Sequence, residues 1–202
     1  MSEYRKKILF VGAGGILASK IFPSLAKKYD IVGIGGKRGD LKEYCVDFYS
    51  GNLLTEYGRL FEKALDRHTF DVVIWNPVQY YFTPLIQTSR ESLHIEFDIA
   101  IALPLELLRS ILPKSAPASV FALISSMSAF HHSANLGSYG IVKNAQLKLV
   151  EGLSVELAGR MFFKAIAPSS VPKIPTETLV DVFISAIENT EPAKILYKVA
   201  TL

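Results

Sequence analysis

The sequence predicts a single doubly wound α/β domain, with a mostly parallel seven-stranded sheet and helices on both of its faces. Short apolar runs alternate with longer stretches of helical periodicity along the whole chain. Several of the short runs are apolar at every position, which is typical of strands buried on both faces of a parallel sheet. The length of 202 residues suits one hydrophobic core, and no linker rich in proline, glycine or serine divides the chain.

Seven strands and five helices follow from these patterns. The predicted strands cover residues 8–11, 31–34, 44–48, 71–75, 120–125, 162–167 and 195–199. The predicted helices cover residues 16–28, 53–67, 89–112, 138–158 and 176–188, and Pro104 is expected to kink the third of them. Because ligands of such sheets bind at the carboxyl ends of the strands, the residues that follow strands are the candidates for chemistry.

The composition argues against several functional classes. The net charge is +3 and the basic residues are scattered, so we expect no nucleic-acid partner. No apolar run approaches the ~18 residues that span a bilayer, so we expect no membrane partner and a cytoplasmic protein. Cys45 is the one cysteine of the sequence, which excludes an intrachain disulfide and a cysteine-based zinc site, and no metal site is predicted.

A glycine turn follows the first predicted strand and opens the first predicted helix. Gly12 can adopt a turn conformation that is closed to other residues, and Gly15 can let the backbone approach a pyrophosphate. The helix, which begins at Ile16, then presents free N–H groups and a partial positive charge to the phosphates. We therefore predict a Rossmann-type dinucleotide site that contains Gly12, Gly14, Gly15 and Ile16, the alternative being a turn with a structural role alone.

The end of the second predicted strand bears on the choice of cofactor. An acidic residue usually binds the ribose 2′-hydroxyl of NAD at this place, but here the chain has Gly35-Gly36-Lys37-Arg38. Two adjacent cations would suit a 2′-phosphate, because arginine offers a bidentate fork and lysine a point charge. The sequence thus favours NADP(H) over NAD(H), with Lys37 and Arg38 as phosphate ligands, and a solvated basic loop is the alternative.

Three polar side chains after the fifth predicted strand form a candidate catalytic set. Tyr139 and Lys143 are one helical turn apart on the same face of a helix, and Ser126 follows the end of the strand. A cation near the phenol is expected to lower the pKa of Tyr139 from its usual ~10, which would make it a proton donor and acceptor near neutral pH. A surface tyrosine beside a solvated lysine is the alternative.

These residues together resemble the short-chain dehydrogenase/reductase family over nearly the whole chain. The pattern G-x-x-G-x-x-A that begins at Gly12 is similar to the cofactor turn of the extended and atypical branches. Asp47 matches the acidic residue that meets the adenine ring, and Asn76 matches part of the Asn-Asn-Ala-Gly run after the fourth strand. Pro168 lies where the family usually has Pro-Gly. The resemblance implies that these three residues contact the cofactor.

The same resemblance implies a reaction. Ser126, Tyr139 and Lys143 match the catalytic serine, tyrosine and lysine of the family in order and spacing, and residues 139–160 resemble its active-site helix. Hydride would pass between the nicotinamide and a small carbonyl or alcohol substrate. Tyr139 would exchange the proton, Ser126 would polarise the substrate oxygen, and Lys143 would hold the nicotinamide ribose. The long helices 89–112 and 138–158 are the usual dimer faces, so we expect a homodimer or a homotetramer.

Several departures from the family pattern leave other functions open. Ala100 replaces the helical asparagine of the proton relay, Val78 replaces the glycine after strand four, and the substrate-binding region near residues 168–180 is reduced. One alternative is a sensor or scaffold protein that binds NAD(P) without turnover. Another is a nucleotide-sugar modifying enzyme, although the extra C-terminal substrate domain of those enzymes is lacking.

Overall fold

A seven-stranded, entirely parallel sheet forms the centre of the chain, as the sequence predicts. The computed structural model describes residues 4–36 and 39–200, without the side chains of residues 39 and 40. The strand order is β3-β2-β1-β4-β5-β6-β7. The strands are β1 Lys7–Val11, β2 Asp30–Gly35, β3 Asp47–Ser50, β4 Val72–Trp75, β5 Val120–Ile124, β6 Phe162–Pro168 and β7 Leu196–Val199.

Helices cover both faces of this sheet. They are α1 Ile16–Leu25, α2 Leu53–Arg67, α3 Arg90–Phe97, α4 Leu103–Ile111, α5 Tyr139–Glu156 and α6 Thr176–Glu188. One core joins the sheet to α1 and α6, and a second core on the opposite face joins it to α2, α4 and α5. The predicted doubly wound Rossmann-type α/β domain is therefore confirmed, and two helices, 53–67 and 176–188, have the predicted bounds.

The chain reverses its direction of progress across the sheet between β1 and β4. Strands β2 and β3 lie on one side of β1, and β4 to β7 lie on the other. Such a reversal leaves a crevice at the carboxyl ends of the two central strands, because the loops that follow them diverge to opposite faces. Residues after Val11 of β1 and after Trp75 of β4 line that crevice, so the fold places the glycine turn where a ligand can bind.

The third strand begins later than predicted. The sequence predicts a strand over 44–48, but residues Gly39–Tyr44 form a 3-10 helix and β3 starts at Asp47. The turn continues through Cys45, whose N–H donates to the carbonyl of Lys42 at 3.0 Å, and sheet pairing starts when the N–H of Val46 donates to Ile31. Residues 44–46 thus have the apolar composition of a strand, but Tyr44 and Cys45 belong to a turn and do not pair with the sheet.

The predicted helix 89–112 is interrupted by a π-helical segment, Asp98–Ala102, between α3 and α4. Pro104 is the second residue of α4 and has no N–H to offer to the carbonyl of Ala100, one turn earlier. That carbonyl accepts a hydrogen bond from the side chain of Gln146, and the neighbouring carbonyl of Ile99 accepts one from the indole of Trp75. The predicted long helix is thus divided by a widened turn on the N-terminal side of Pro104, and the kink at this proline stays a prediction.

Candidate active site

The glycine turn has a backbone conformation that few other residues could adopt. Gly12 has φ of +84°, and a Cβ atom there would lie 2.9 Å from the backbone nitrogen of Pro77. The N–H groups of Gly12 and Ala13 both donate to the carbonyl of Ile34 at the end of β2, at 2.8 and 2.9 Å. A side chain at position 12 would therefore break the contact between the loops that follow β1 and β4.

Asn76 fastens the turn from the other side. Its N–H donates to the carbonyl of Val11 at 3.0 Å, and its side-chain Nδ2 donates to the carbonyl of Gly12 at 3.2 Å. The turn is thus bound to β2 and to the end of β4, so its N–H groups are held in one orientation. The sequence predicts Asn76 as a cofactor ligand, and here it positions the backbone that faces the groove.

The close approach of backbones occurs at Gly35 as well as within the turn. A Cβ atom on Gly35 would lie 2.8 Å from the nitrogen of Gly14 and 3.1 Å from that of Ala13. At Gly15, where the sequence predicts such an approach, a Cβ atom would make ordinary contacts at 3.6 Å. Sequence reasoning missed Gly35, although a glycine pair at the end of a predicted strand is a signal that could have found it.

The first turn of α1 faces the groove without a side-chain cap. Gly15 is the N-cap residue and has no side chain to satisfy the first N–H groups of the helix, which starts at Ile16. Those N–H groups and the positive end of the helix dipole are therefore available to an anion.

Two clefts meet at the glycine turn. The first encloses about 530 Å³ and the second about 390 Å³. Both are lined by Gly14, Gly15, Asn76 and Val78, so they form one groove across the turn. The first cleft extends over Gly35, Gly36, Gly51, Asn52, Leu53 and Leu54; the second extends over Ile16, Tyr80, Ser126, Tyr139, Lys143, Pro168, Val171 and Pro172.

The sequence-predicted cofactor residues fall into three groups. Most of them line the groove, namely Gly12, Gly14, Gly15, Ile16, Asn76, Lys143 and Pro168. Lys37 and Arg38 lie outside the described residues. Asp47 is described, but the structure does not bring it to the groove.

Asp47 lies at the start of β3, whereas the groove is at the carboxyl ends of the strands. Its carboxylate accepts a hydrogen bond from the hydroxyl of Tyr49 at 2.7 Å and contacts Nε2 of His68 at 3.2 Å. The hydroxyl of Tyr49 is the largest influence that lowers the pKa of Asp47. The delayed start of β3 explains the difference from the expected position, because Gly51 and Asn52 take the place in the groove that Asp47 was expected to have.

Ser126 and Tyr139 lie together in the second cleft. Ser126 is buried, and its Oγ accepts a hydrogen bond from the N–H of Ser128 at 3.1 Å, which fixes the hydroxyl at the end of β5. The hydroxyl proton is then free to point to the phenol of Tyr139, the first residue of α5, and this hydrogen bond acts to lower the pKa of Tyr139. The predicted serine and tyrosine therefore share one site.

Burial nevertheless raises the pKa of Tyr139 above its ordinary value of 10.0, and the charges of Tyr80 and Glu96 act in the same direction. This differs from the expectation that Lys143 lowers the pKa of Tyr139. The ammonium of Lys143 lies 5.6 Å from the centre of the Tyr139 ring and donates elsewhere, to the carbonyl of Ile124 at 2.7 Å. In this arrangement the phenol is protonated at neutral pH.

Lys143 is buried, at 3% exposed, and burial lowers its pKa to about 7. Besides the carbonyl of Ile124 it has a second acceptor, Oε1 of Gln146, at 3.0 Å. An ammonium has three donors, so one remains for a ligand in the cleft that Lys143 lines.

Glu96 is a buried acidic residue beside this site that sequence reasoning missed. It is 2% exposed, lies on α3, and accepts a hydrogen bond from the hydroxyl of Ser138, the residue before Tyr139. The N–H of Tyr81 also donates to it, while burial raises its pKa. Glu96 therefore joins the start of α5 to the loop after β4, and a charged residue in an apolar helix pattern was the available signal.

The mouth of the second cleft is apolar. The ring of Tyr80 lies 5.3 Å from the ring of Tyr139, and Val171 and Pro172 form the side next to β6.

Within residues 4–36 and 39–200, no helix is long and apolar enough to cross a membrane, and no three potential metal-ligating side chains gather at one place.

Comparison with known proteins agrees with this geometry. No family model matches the chain. Tropinone reductase-like 3 of Erythroxylum coca is 30% identical over 103 residues, which are 50% of this chain and 40% of that protein. The chain thus aligns with less than half the length of this curated relative.

Solved structures match over almost the whole chain. A short-chain dehydrogenase/reductase from Brucella melitensis has a TM-score of 0.82 at 15% identity and covers 98% of this chain and 96% of its own. A protein described as a short-chain dehydrogenase from Escherichia coli CFT073, solved with NADPH, has a TM-score of 0.78 at 16% identity over 96% and 95% of the two chains. A bulky-bulky ketone specific alcohol dehydrogenase from Comamonas testosteroni has the same TM-score and identity over 96% and 85%. The chain therefore has the fold of the short-chain dehydrogenases.

Proposed function

We propose that the chain is an oxidoreductase of the short-chain dehydrogenase/reductase family that transfers hydride between NADP(H) and a small carbonyl or alcohol substrate. One observation carries this proposal. A continuous groove leads from the uncapped N-terminus of α1 to Ser126, Tyr139 and Lys143.

The groove fits a dinucleotide. Its two clefts suit the two nucleoside halves, and the residues shared by both clefts lie where a pyrophosphate would join those halves. A Cβ atom at Gly12 would displace the loop after β4 that forms the groove wall. We assign the pyrophosphate to the turn and the start of α1, at Gly12, Gly14, Gly15 and Ile16, and the nicotinamide half to the cleft beside Lys143 and Pro168. When bound, the nicotinamide supplies or accepts the hydride.

Tyr139 is the proposed proton donor for carbonyl reduction. Its raised pKa keeps the phenol protonated at neutral pH, and this is the form that can protonate a carbonyl oxygen. Ser126, fixed by the N–H of Ser128, would donate a hydrogen bond to the same oxygen. In the reverse direction the phenolate of Tyr139 would take the proton of an alcohol, and the third donor of Lys143 would hold the ribose hydroxyl.

The substrate that suits this cleft is small and uncharged, with an apolar group next to the reacting carbon. Tyr80, Val171 and Pro172 supply apolar surface, and Lys143 is the charged side chain among the described residues that line the cleft. That ammonium is already bound to two protein acceptors, so it is poorly placed to attract a substrate carboxylate.

We also propose that NADP(H) is preferred over NAD(H), on the absence of an acid at the end of β2 and on the pair Lys37 and Arg38. The glycines before them line the first cleft. The double variant Lys37→Ala with Arg38→Ala should weaken the binding of NADPH much more than that of NADH. Equal losses for the two cofactors would contradict the preference.

A sensor that binds the cofactor without turnover is the second candidate. Two observations favour it: two of the three donors of Lys143 are bound by protein groups, and Ala100 stands where the family's proton relay has an asparagine. NADPH oxidation with a panel of aliphatic and aromatic ketones separates the two candidates. The enzyme should oxidise NADPH with at least one ketone, and Tyr139→Phe should lose that activity. Tyr49→Phe should keep it, because the hydroxyl of Tyr49 bonds Asp47 and does not line the groove. Tight NADPH binding with no turnover dependent on Tyr139 would support the sensor.

Association into a homodimer or homotetramer remains a proposal. Ile141 and Val155 on α5 are 50% and 79% exposed, which would be explained by a partner that covers this helix. Light scattering during size-exclusion chromatography should give twice or four times the chain mass. A single-chain mass at micromolar concentration would contradict it.

A further inference from the structure

We propose that Gln146 is a positioning residue that fixes the ammonium of Lys143 in the active site by bridging it to the carbonyl of Ala100. The inference rests on the proposed function, because it assigns Lys143 to cofactor and substrate chemistry. It concerns a residue one turn further along α5, which no part of the proposed reaction uses.

The bridge consists of two hydrogen bonds in a dry interior. Oε1 of Gln146 accepts from Nζ of Lys143 at 3.0 Å, and Nε2 of Gln146 donates to the carbonyl of Ala100 at 3.1 Å. Gln146 is fully buried, and Lys143 and Ala100 are 3% and 4% exposed. Water therefore has no open route to the ammonium from this side.

A primary amide meets both hydrogen-bonding requirements of this place. An ammonium has donors alone and a carbonyl has acceptors alone, so a group between them must accept on one side and donate on the other. A carboxylate could serve Lys143 but not Ala100, and an apolar side chain could serve neither. The hydrogen bonds also fix which end of the amide is oxygen, since the opposite orientation would place NH₂ against the ammonium.

The helix interruption makes the carbonyl of Ala100 available. Pro104 lacks the N–H that would otherwise reach this carbonyl in an α-helix, and the segment Asp98–Ala102 is π-helical. The neighbouring carbonyl of Ile99 also accepts from a side chain, because the indole N–H of Trp75 donates to it at 2.9 Å. Pro104 and the π-helical turn thus leave the carbonyl of Ala100 free to accept from Gln146, and Gln146 in turn accepts from Lys143.

A neutral amide also does not relay protons from Lys143. Its nitrogen lone pair is delocalised and takes no proton near neutral pH, whereas a water molecule in the same position could pass one on. Gln146 thus holds the ammonium on one side, with Ile124 as its second acceptor, and directs its third donor to the cleft. Two other titratable groups belong to the site. The centre of the Tyr139 ring lies 5.6 Å from Nζ of Lys143, and the carboxylate of Glu96 on α3 raises the pKa of Tyr139.

The first test uses the apoprotein, so that it does not depend on activity. Protein labelled with ¹³C at the lysine ε-carbons is titrated by NMR, and the Lys143 signal is assigned by its loss in Lys143→Met. Gln146→Met removes the acceptor and should lower the Lys143 midpoint, whereas Gln146→Glu keeps an acceptor, adds a negative charge and should raise it, each by about one pH unit. Unchanged midpoints in both variants would overturn the inference, and Gln146→Glu decides it if Gln146→Met does not fold.

The second test measures the dissociation constant of NADPH at pH 6 and pH 9 for the same proteins. Gln146→Met should weaken NADPH binding about tenfold at pH 6, where the wild-type Lys143 is charged, because the variant loses part of that charge and the acceptor that holds the ammonium. The loss should be smaller at pH 9, where the amine is neutral. Lys148→Met is the matched control, because Lys148 lies on the same helix with an exposed side chain, and it should bind NADPH as the wild type does.

The two tests separate the inference from the function on which it rests. A wild-type chain that binds no NADPH would defeat the proposed function and leave the NMR midpoints to decide on Gln146. Normal NADPH binding with unchanged midpoints would defeat the positioning role alone.

Discussion

The ammonium of Lys143 lies 5.6 Å from the centre of the Tyr139 ring, but its hydrogen bonds go to the carbonyl of Ile124 and to Gln146. One turn of α5 brings the two side chains together, as the sequence predicts, while the partners of Lys143 come from β5 and from the next turn of the helix. The phenol is therefore governed by burial and by neighbouring negative charge, and its pKa is raised.

Glu96→Gln should lower the pKa of Tyr139. The carboxylate of Glu96 disfavours the phenolate, so a neutral amide in its place makes ionisation of Tyr139 easier. NMR titration of protein labelled at the tyrosine ζ-carbons measures this directly. Glu91→Gln, an exposed change on the same helix, is the matched control and should leave the midpoint where it is. An equal midpoint in wild type and Glu96→Gln would show that Glu96 exerts no such influence.

Gly12→Ala should destabilise the fold and weaken NADPH binding together. The left-handed backbone alone costs an alanine about 1–2 kcal/mol, and its Cβ would lie 2.9 Å from the nitrogen of Pro77. Gly58→Ala, on the exposed face of α2 with open space around it, should instead stabilise by about 0.5–1 kcal/mol. Urea unfolding and NADPH titration of both variants check this. A Gly12→Ala protein as stable as Gly58→Ala would contradict the described turn.

The free energy of unfolding should increase between pH 7 and pH 10 because of Lys143. Its pKa is about 7 in the folded chain and has the ordinary value of 10.5 when unfolded, so the unfolded chain binds more protons across this range. The contribution of this group to stability is thus fully present above the unfolded pKa and is lost as the pH falls through the folded one. Urea midpoints should rise less steeply in Lys143→Met than in wild type. The exposed variant Lys148→Met should keep the wild-type slope, and a wild-type slope in Lys143→Met would sink the assignment.

Tyr80→Ala should raise the KM for aromatic ketones and change kcat little. The ring of Tyr80 lines the mouth of the cleft, 5.3 Å from the ring of Tyr139, where it can pack on an apolar substrate group. A loss of about 0.5–1.5 kcal/mol of aromatic packing corresponds to a change in KM of up to roughly tenfold. Ile86→Ala, a 94% exposed position on the same loop, is the control. Equal KM values for Tyr80→Ala and wild type would place the substrate elsewhere.

Local patterns in the sequence were enough to predict most of the fold. The central strands are apolar throughout because both faces are covered, and the glycine turn is recognisable since its requirement for small residues is local. The sequence predicts the half-buried edge strand β3 too early. The apolar residues 44–46 resemble a strand, but the N–H of Cys45 donates within a turn, to the carbonyl of Lys42. Asp47 was expected in the groove and lies away from it for the same reason.

The detailed site depends on contacts between distant parts of the chain. Tyr139 and Lys143 lie one turn apart, so their proximity follows from spacing, whereas the bridge from Gln146 to Ala100 joins residues 46 positions apart. Pro104 signals an irregular helix but does not specify a π-helical turn, and the raised pKa of Tyr139 has no sequence motif. Both result from packing, and burial around the phenol outweighs the local cation that spacing suggested.

Isothermal titration of the wild-type chain with NADPH tests the central claim most directly, because the groove must hold a nicotinamide dinucleotide before any chemistry can follow. The account predicts saturable binding of one NADPH per chain, strongly weakened in Gly12→Ala and preserved in Gly58→Ala. No binding at millimolar NADPH, or equal affinity in wild type and folded Gly12→Ala, would contradict it.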